Sequence, residues 1–141
     1  TTRAQFASMI ANVMGYVDDP DAESRFTDVP DDHWGKGAIT FCYDNNIISG
    51  YDDGTFQPDK AVTREEAASI MKNAFKLTGT TTDKFTDDGK ISNWAKDAVY
   101  ACKATNIMKG DVSGSFRPND TIIRAEAASI LMNADSEGLI K

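Results

Sequence analysis

An internal repeat with a period of about 60 residues limits what this chain can fold into. Residues 47–74 and 107–134 are identical at thirteen of 28 positions, and the similarity continues upstream of both segments. The start of the chain also matches the second half of this unit, so the chain begins inside a repeat. We therefore predict a partial first repeat with its linker at 1–25, a second repeat with its linker at 26–83 and a third repeat at 84–141.

Each complete repeat is predicted to contain two helices joined by a tight turn. Apolar residues spaced three or four positions apart predict a first helix over 34–45. Asn46 and Asn106 stand where the first helices end, at a position where Asn tolerates the left-handed conformation. Thr2 and Thr63 are each followed three residues later by Gln or Glu, and these pairs predict capping boxes at the second helices.

The second helices carry the most regular apolar stripes of the sequence. The stripes include Phe6 and Ile10, Ala67 and Ile70, and Ala127 and Ile130. A unit of two short helices cannot bury both apolar faces alone, so the stripes are expected to meet in a shared core. The sequence thus predicts a mainly α fold, with helix–loop–helix repeats in a pseudo-threefold arrangement around a central helical bundle and short extended segments in the loops.

Composition and charge favour binding or structure over catalysis. The net charge is −7, from 15 basic and 22 acidic residues, which argues against a nucleic-acid partner. No apolar run approaches the roughly 20 residues of a membrane span, and any targeting segment is expected outside this chain. One His, two Cys and no catalytic motif predict no enzyme, no metal and no cofactor. Cys42 and Cys102 are expected to be reduced and buried.

The most informative residue type is an arginine in the first turn of each second helix. These arginines are Arg3, Arg64 and Arg124. A cation there faces the positive end of the helix dipole, at a cost of roughly 0.3–1 kcal/mol. One interpretation is an anion site, in which the guanidinium and free helix N–H groups hold a carboxylate or phosphate. The alternative pairs each arginine with a nearby carboxylate: Glu65 or Asp59 for Arg64, and Asp120 for Arg124.

Aromatic residues offer further candidates. Trp34 and Trp94 could stack on a sugar ring, although their helical spacing with Ala and Cys is also typical of core residues. Tyr51 lies in the predicted turn and is a candidate binding aromatic, whereas the recurring Phe56 is expected to be buried.

Four landmarks occur in order in the second repeat: Phe26–Pro30, Trp34, Gly50–Phe56 followed by Pro58, and Val62–Glu66. Together they closely resemble the S-layer homology (SLH) repeat. The resemblance implies a three-pronged pseudo-trimer around a central helical bundle. It also implies that the chain anchors an exported bacterial protein to the cell wall by binding secondary cell-wall polysaccharide, often pyruvylated, in grooves between repeats.

The family's binding arginine falls on Arg3, Arg64 and Arg124. The ligand-binding residues implied are these three together with Gly50, Tyr51, Asp53, Gly54, Trp34 and Trp94. Arg64 is expected to carry most of the binding, and Arg64→Ala to leave the fold intact. Arg124 should matter less, because its repeat has Asp111–Ser113 in the turn and Ile123 at the cap. The expected location is the cell surface, and the partners are an anionic wall polysaccharide and other domains of the parent protein. Two alternatives stay open: a protein–protein interaction module, and a structural spacer attached to a catalytic domain outside this chain.

Overall fold

The computed structural model describes residues 1–140, and within them the protein is helical. Its α-helices are α1 (Arg3–Val13), α2 (Lys36–Asp44), α3 (Arg64–Phe75), α4 (Lys96–Ala104) and α5 (Arg124–Ser136). Two single 3₁₀ turns, Asp88–Lys90 and Asn93–Ala95, precede α4. Among residues 1–140 extended pairing is limited to isolated antiparallel bridges, Thr2 with Ala61 and Thr63 with Thr121. The mainly α prediction is confirmed.

The helix boundaries follow from local chemistry. At α1, the Thr2 hydroxyl accepts the Gln5 N–H, and the Gln5 side chain accepts the Thr2 N–H, which completes the predicted capping box. At α3, the Thr63 hydroxyl accepts the backbone N–H of Glu66 and donates to its carboxylate. Asn46 and Asn106, just beyond α2 and α4, have φ of 59° and 62°, so the predicted left-handed stops are confirmed.

By its internal packing the chain divides into two compact units, unit 1 (Thr1–Ala61) and unit 2 (Val62–Lys141). In unit 1, α1 packs on α2; in unit 2, α3 packs on α4. Each pair therefore joins the second helix of one sequence repeat to the first helix of the next. The compact unit and the sequence repeat are out of phase by half a period, and the pseudo-threefold arrangement remains a prediction.

Each unit has an apolar core that joins its helices to its loop. In unit 1 the fully buried large side chains include Phe6, Ile10, Ile39, Ile47 and Phe56. In unit 2 they include Met71, Val99, Ile107, Phe116 and Ile122. Phe56 and Phe116 occupy equivalent loop positions, and both are fully buried. The expected burial of Phe56 is therefore confirmed. No helix among residues 1–140 has both the length and the hydropathy to cross a membrane.

Each cysteine links the two helices of its unit through a hydrogen bond from its thiol. Cys42 Sγ donates to the carbonyl of Ala7 (3.4 Å) in unit 1, and Cys102 Sγ to that of Ala68 (3.6 Å) in unit 2. Both thiols are free and buried, as expected. Burial raises the pKa of each to about 12, because the thiolate would lose its hydration.

Candidate ligand-binding site

Two aspartates that precede the first helices organise the loops where the candidate residues lie. The Asp28 carboxylate accepts the N–H groups of Phe56 and Gln57, both at 2.8 Å. Asp87 does the same for Phe116 and Arg117, again at 2.8 Å. Gln57 and Arg117 have φ near +60°, which is uncommon for residues other than glycine, and the carboxylates hold them there. Phe-Thr-Asp recurs in front of both helices and is the sequence signal for this role, although the role cannot be inferred from the recurrence alone.

Three of the predicted ligand residues build the turn of unit 1. Gly50 has no room for a side chain, because an added Cβ would collide with the Phe26 ring and lie 2.7 Å from the Thr55 carbonyl oxygen. Gly54 has φ of +84°, in the left-handed region. Asp53 accepts hydrogen bonds from the N–H and the hydroxyl of Thr55, which lower the pKa of the Asp53 carboxyl.

Arg3 and Tyr51 come together against the same loop. The Arg3 Nε donates to the Phe56 carbonyl (2.8 Å) and Nη2 to the Ser49 carbonyl (2.9 Å). Its guanidinium carbon lies 4.9 Å from the centre of the Tyr51 ring. Lys60 Nζ donates to the Tyr51 hydroxyl at 3.2 Å. Tyr51 thus forms part of the wall around a buried cation.

Arg64 takes the equivalent position in unit 2. Its Nε donates to the Phe116 carbonyl (2.7 Å), Nη2 to the Lys109 carbonyl (2.9 Å) and Nη1 to Glu126 Oε2 (2.8 Å). The whole residue is only 7% exposed. Glu126, which lies on α5, is the carboxylate that pairs with Arg64. Sequence reasoning missed it because the two residues are 62 positions apart.

The carboxylate pairs suggested by sequence proximity are all wrong: neither Glu65 nor Asp59 pairs with Arg64, and Asp120 does not pair with Arg124. Glu65 is buried and accepts both the N–H (2.9 Å) and the hydroxyl (2.7 Å) of Ser92, so it fixes the turn before α4. Asp120 pairs with Arg117 at 3.3 Å. Arg124 itself is exposed, and its guanidinium makes no hydrogen bond, ion pair or ring contact with residues 1–140.

The expectation of free helix N–H groups beside Arg64 is also wrong. The N–H of Arg64 donates to the Asp120 carbonyl (2.8 Å) and that of Glu65 to the Pro118 carbonyl (3.1 Å). Arg3 and Ala4 in α1 repeat this arrangement inside unit 1. Loop carbonyls therefore occupy the positive ends of α1 and α3. Other loop carbonyls, those of Phe116 and Lys109, accept from the Arg64 guanidinium and so compensate this arginine for its position in the first turn.

Trp34 and Trp94 are not core residues. They are 65% and 63% exposed, because α2 begins at Lys36 and α4 at Lys96, after each tryptophan. The helix predicted over 34–45 is shorter in the structure, and of the two interpretations of Trp34 and Trp94 the one that places them in the core is wrong. Trp34 instead stacks on His33, with ring centres 5.5 Å apart.

A shallow groove of about 240 Å³ lies within unit 2 beside Arg64. Its floor includes Ile107 and Met108, and its polar walls are formed by Arg64, Lys109, Glu126, Ser129 and Asn133. The groove thus combines two cations and one carboxylate with amide and hydroxyl groups. Arg64 uses three of its five N–H donors on protein partners, so two have no hydrogen-bond partner among residues 1–140. Among residues 1–140 no cluster of three or more His, Cys, Asp or Glu side chains could hold a metal.

The family model described as "S-layer homology domain" matches residues 25–68 and 84–128. A cellulosome-anchoring protein of Acetivibrio thermocellus is 31% identical over 144 residues, which cover 97% of this chain and 32% of that protein. An S-layer protein of Bacillus thuringiensis subsp. finitimus is 34% identical over 128 residues (91% of this chain, 15% of that protein). Exoglucanase XynX of Acetivibrio thermocellus is 33% identical over 136 residues (92% and 12%). The chain spans less than a third of the length of these relatives.

Proposed function

The chain belongs to the S-layer homology domain family, and we propose that it anchors its parent protein to the bacterial cell surface by binding an anionic secondary cell-wall polysaccharide. Relatives named as an anchoring protein and as an S-layer protein support this role. The similarity to the exoglucanase covers only 12% of that protein, which fits a non-catalytic module shared by proteins of different activity.

The groove beside Arg64 carries the proposal for ligand chemistry. Arg64 is held rigid by three hydrogen bonds, and Lys109 adds an exposed ammonium on the same wall. A carboxylate on the glycan, such as that of a pyruvate ketal, would accept from the remaining guanidinium donors. The overall charge of −7 opposes an anionic polymer, but at physiological salt charges beyond about 8 Å are largely screened.

The exposed tryptophans extend this proposal to neutral parts of the glycan. Trp34 and Trp94 present indole faces to solvent at equivalent places in the two repeats, and such faces pack on the apolar side of sugar rings. Arg3 and Tyr51 form the corresponding cluster of unit 1. Gly50, Asp53 and Gly54 shape the turn that supports it. Arg124 is the exposed arginine of the third repeat.

Sedimentation with purified cell-wall sacculi, with and without chemical removal of the polysaccharide, tests the function. We expect co-sedimentation that is lost when the polysaccharide is removed. Binding that survives the removal would favour a protein–protein module, and no binding to either sample would favour a structural spacer.

Two substitutions that change the charge of the groove in opposite directions test its role in binding. Lys109→Gln should weaken wall binding, whereas Glu126→Gln should strengthen it by at least about threefold, because it removes a negative charge that competes for Arg64. Lys90→Gln, an exposed lysine of unit 2 outside the groove, is the matched control. Circular dichroism checks folding. Equal affinity for all three folded variants would show that the binding site lies outside this groove.

A further inference from the structure

A second cleft lies in unit 2 beside α4, a helix that contributes no residue to the groove beside Arg64. It has a volume of about 480 Å³ and is bounded by the end of α3, the linker that follows it and the first half of α4. Three lysines line it, Lys72, Lys84 and Lys96, against a single acidic residue, Asp97. The lining of the cleft therefore has a positive net charge, although the chain as a whole has more acidic than basic residues.

The lysines are only weakly engaged by the protein. Lys72 is half-buried, and its side chain has no hydrogen bond, ion pair or ring contact with any residue among 1–140. Lys84 lies 4.1 Å above the ring centre of Tyr100. Lys96 pairs with Asp88 at 3.4 Å, but both side chains are about one-third exposed, so the pair is worth little. The cleft thus contains ammonium groups whose N–H donors are only partly used by protein partners.

The equivalent place in unit 1 is filled, which makes the open cleft informative. There Tyr16 packs on Phe41 with ring centres 5.4 Å apart, and its hydroxyl lies where a Cβ on Gly37 would be. Lys36, the counterpart of Lys96, is buried and donates to the Pro20 carbonyl at 3.1 Å. The linker of unit 1 therefore closes over the start of α2.

The linker of unit 2 takes another course because its residues differ. At an offset of 61, Tyr16 and Pro20 become Leu77 and Thr81, and at an offset of 60 Phe41 becomes Ala101. Gly79 lies against the end of α4, where an added Cβ would be 2.9 Å from the Ala104 Cβ. The first half of α4 is left uncovered, and the linker contributes three threonines to the wall of the cleft.

We propose that this cleft binds an oxyanion, a carboxylate or a phosphate, carried on a ligand the size of a sugar. Ammonium groups pair with the oxyanion, and the threonine hydroxyls suit the hydroxyl groups of a sugar. The volume lies in the range of small-molecule sites and exceeds what a bare ion needs. The site goes beyond the proposed wall anchoring, since it shares no residue with the groove beside Arg64.

Titration of the full chain with inorganic phosphate, glucuronate and glucose, followed by amide NMR at constant ionic strength, tests the proposal. Phosphate and glucuronate should shift the amides of 77–84 and 96–101 with saturation, and glucose should not. The anion whose shifts reach saturation at the lower concentration shows whether the site prefers a phosphate or a carboxylate. The amides of 16–20 and 36–41 should stay in place, because the cleft of unit 1 is filled.

Matched variants complete the test. Lys72→Gln and Lys96→Gln should each weaken the anion affinity about fivefold or more, and Lys90→Gln should leave it unchanged. The Lys72 ammonium has no partner among residues 1–140, so its substitution should not affect folding. Absent shifts, equal shifts with glucose, or an affinity unaffected by Lys72→Gln would each overturn the proposal. The small probes need no cell wall, so a failure here is distinct from a failure of the anchoring proposal.

Discussion

The guanidinium of Arg64 holds a loop and a helix of unit 2 in place at once. It donates to carbonyls at Lys109 and Phe116 and to the carboxylate of Glu126. Buried groups of this kind are costly to leave without a partner, because they have lost their hydration. Arg64 is therefore a structural residue in addition to a candidate ligand residue.

Replacement of Arg64 by Ala should lower the free energy of unfolding by about 2–4 kcal/mol, because two carbonyls and a carboxylate lose their donor. This prediction replaces the sequence-based expectation that the fold would be unaffected. Urea unfolding followed by circular dichroism measures the change.

Arg124→Ala is the matched control for Arg64→Ala, since Arg124 occupies the same position in α5 but is exposed. Its effect should stay within about 0.5 kcal/mol. Equal stability losses for the two variants would show that the hydrogen bonds of Arg64 contribute nothing net.

Cys42 and Cys102 provide a second test at this scale. Burial raises the pKa of both thiols to about 12, so at pH 8 neither should react with a thiol reagent in the native protein. Both should react once the chain is unfolded in guanidinium. Rapid labelling of either cysteine in the native state would contradict the packing of its helix pair.

The recurrence of Arg3, Arg64 and Arg124 identified these residues from the sequence, but not their partners. A repeat shows that positions are equivalent, yet it does not show whether an arginine contacts its own loop or the next one. Glu126 and Ser92 were therefore missed as partners of Arg64 and Glu65. The positions of Trp34 and Trp94 were misjudged because apolar spacing cannot locate the first residue of a helix that lacks a side-chain cap.

At the scale of elements, capping residues and turns were the most predictable features. Thr2, Asn46 and Asn106 act through contacts within a few residues, so their roles can be inferred from the sequence. The course of the two linkers could not be inferred in this way, because it depends on how Tyr16 or Leu77 meets a helix distant in sequence. As a result, the linker of unit 1 fills the space beside α2, whereas the cleft beside α4 in unit 2 stays open.

The turns of both units should respond to acid in the same way. Hydrogen bonds from Thr55 lower the pKa of Asp53 below its ordinary value of 3.8, and bonds from Ser113 and Ser115 lower that of Asp111. Because the folded pKa is the lower one, the stabilisation is present above the ordinary pKa. It is lost as the pH falls through the depressed value.

Amide shifts of Thr55 and Ser113 followed from pH 6 downwards measure this titration. Both should report a midpoint below 3.8, and the midpoint at Thr55 should disappear in Asp53→Asn while the one at Ser113 remains. A midpoint at or above 3.8 in the parent protein would show that these hydrogen bonds are not formed in solution.

At the scale of the whole molecule, the compact units and the sequence repeats divide the chain differently. The predicted repeat boundary at 83/84 separates α3 from α4, whereas the boundary between units falls at 61/62, one residue before the capping Thr63. Identity between repeats reveals the period but not its phase, because any starting point along a periodic sequence gives the same match.

Two fragments test which division follows the fold. A fragment of residues 62–141 keeps α3, α4 and the contacts of Arg64, so it should unfold cooperatively on heating. A fragment of residues 84–141 lacks α3 and exposes the face of α4 that packs on it, so it should show little helix by circular dichroism. The reverse outcome would mean that the sequence repeat is also the folding unit.

The length of the period, and not the position of either boundary, determines how such chains can lengthen by gene duplication. A duplicated segment of one full period brings one motif arginine and one loop with its Gly, Phe and Pro, wherever the breakpoints fall. Each duplication therefore adds a loop for every arginine that it adds, without any compensating change elsewhere. Recombination between genes could exchange periods at 61/62 as freely as at 83/84, provided that both ends of the exchanged segment share the same phase.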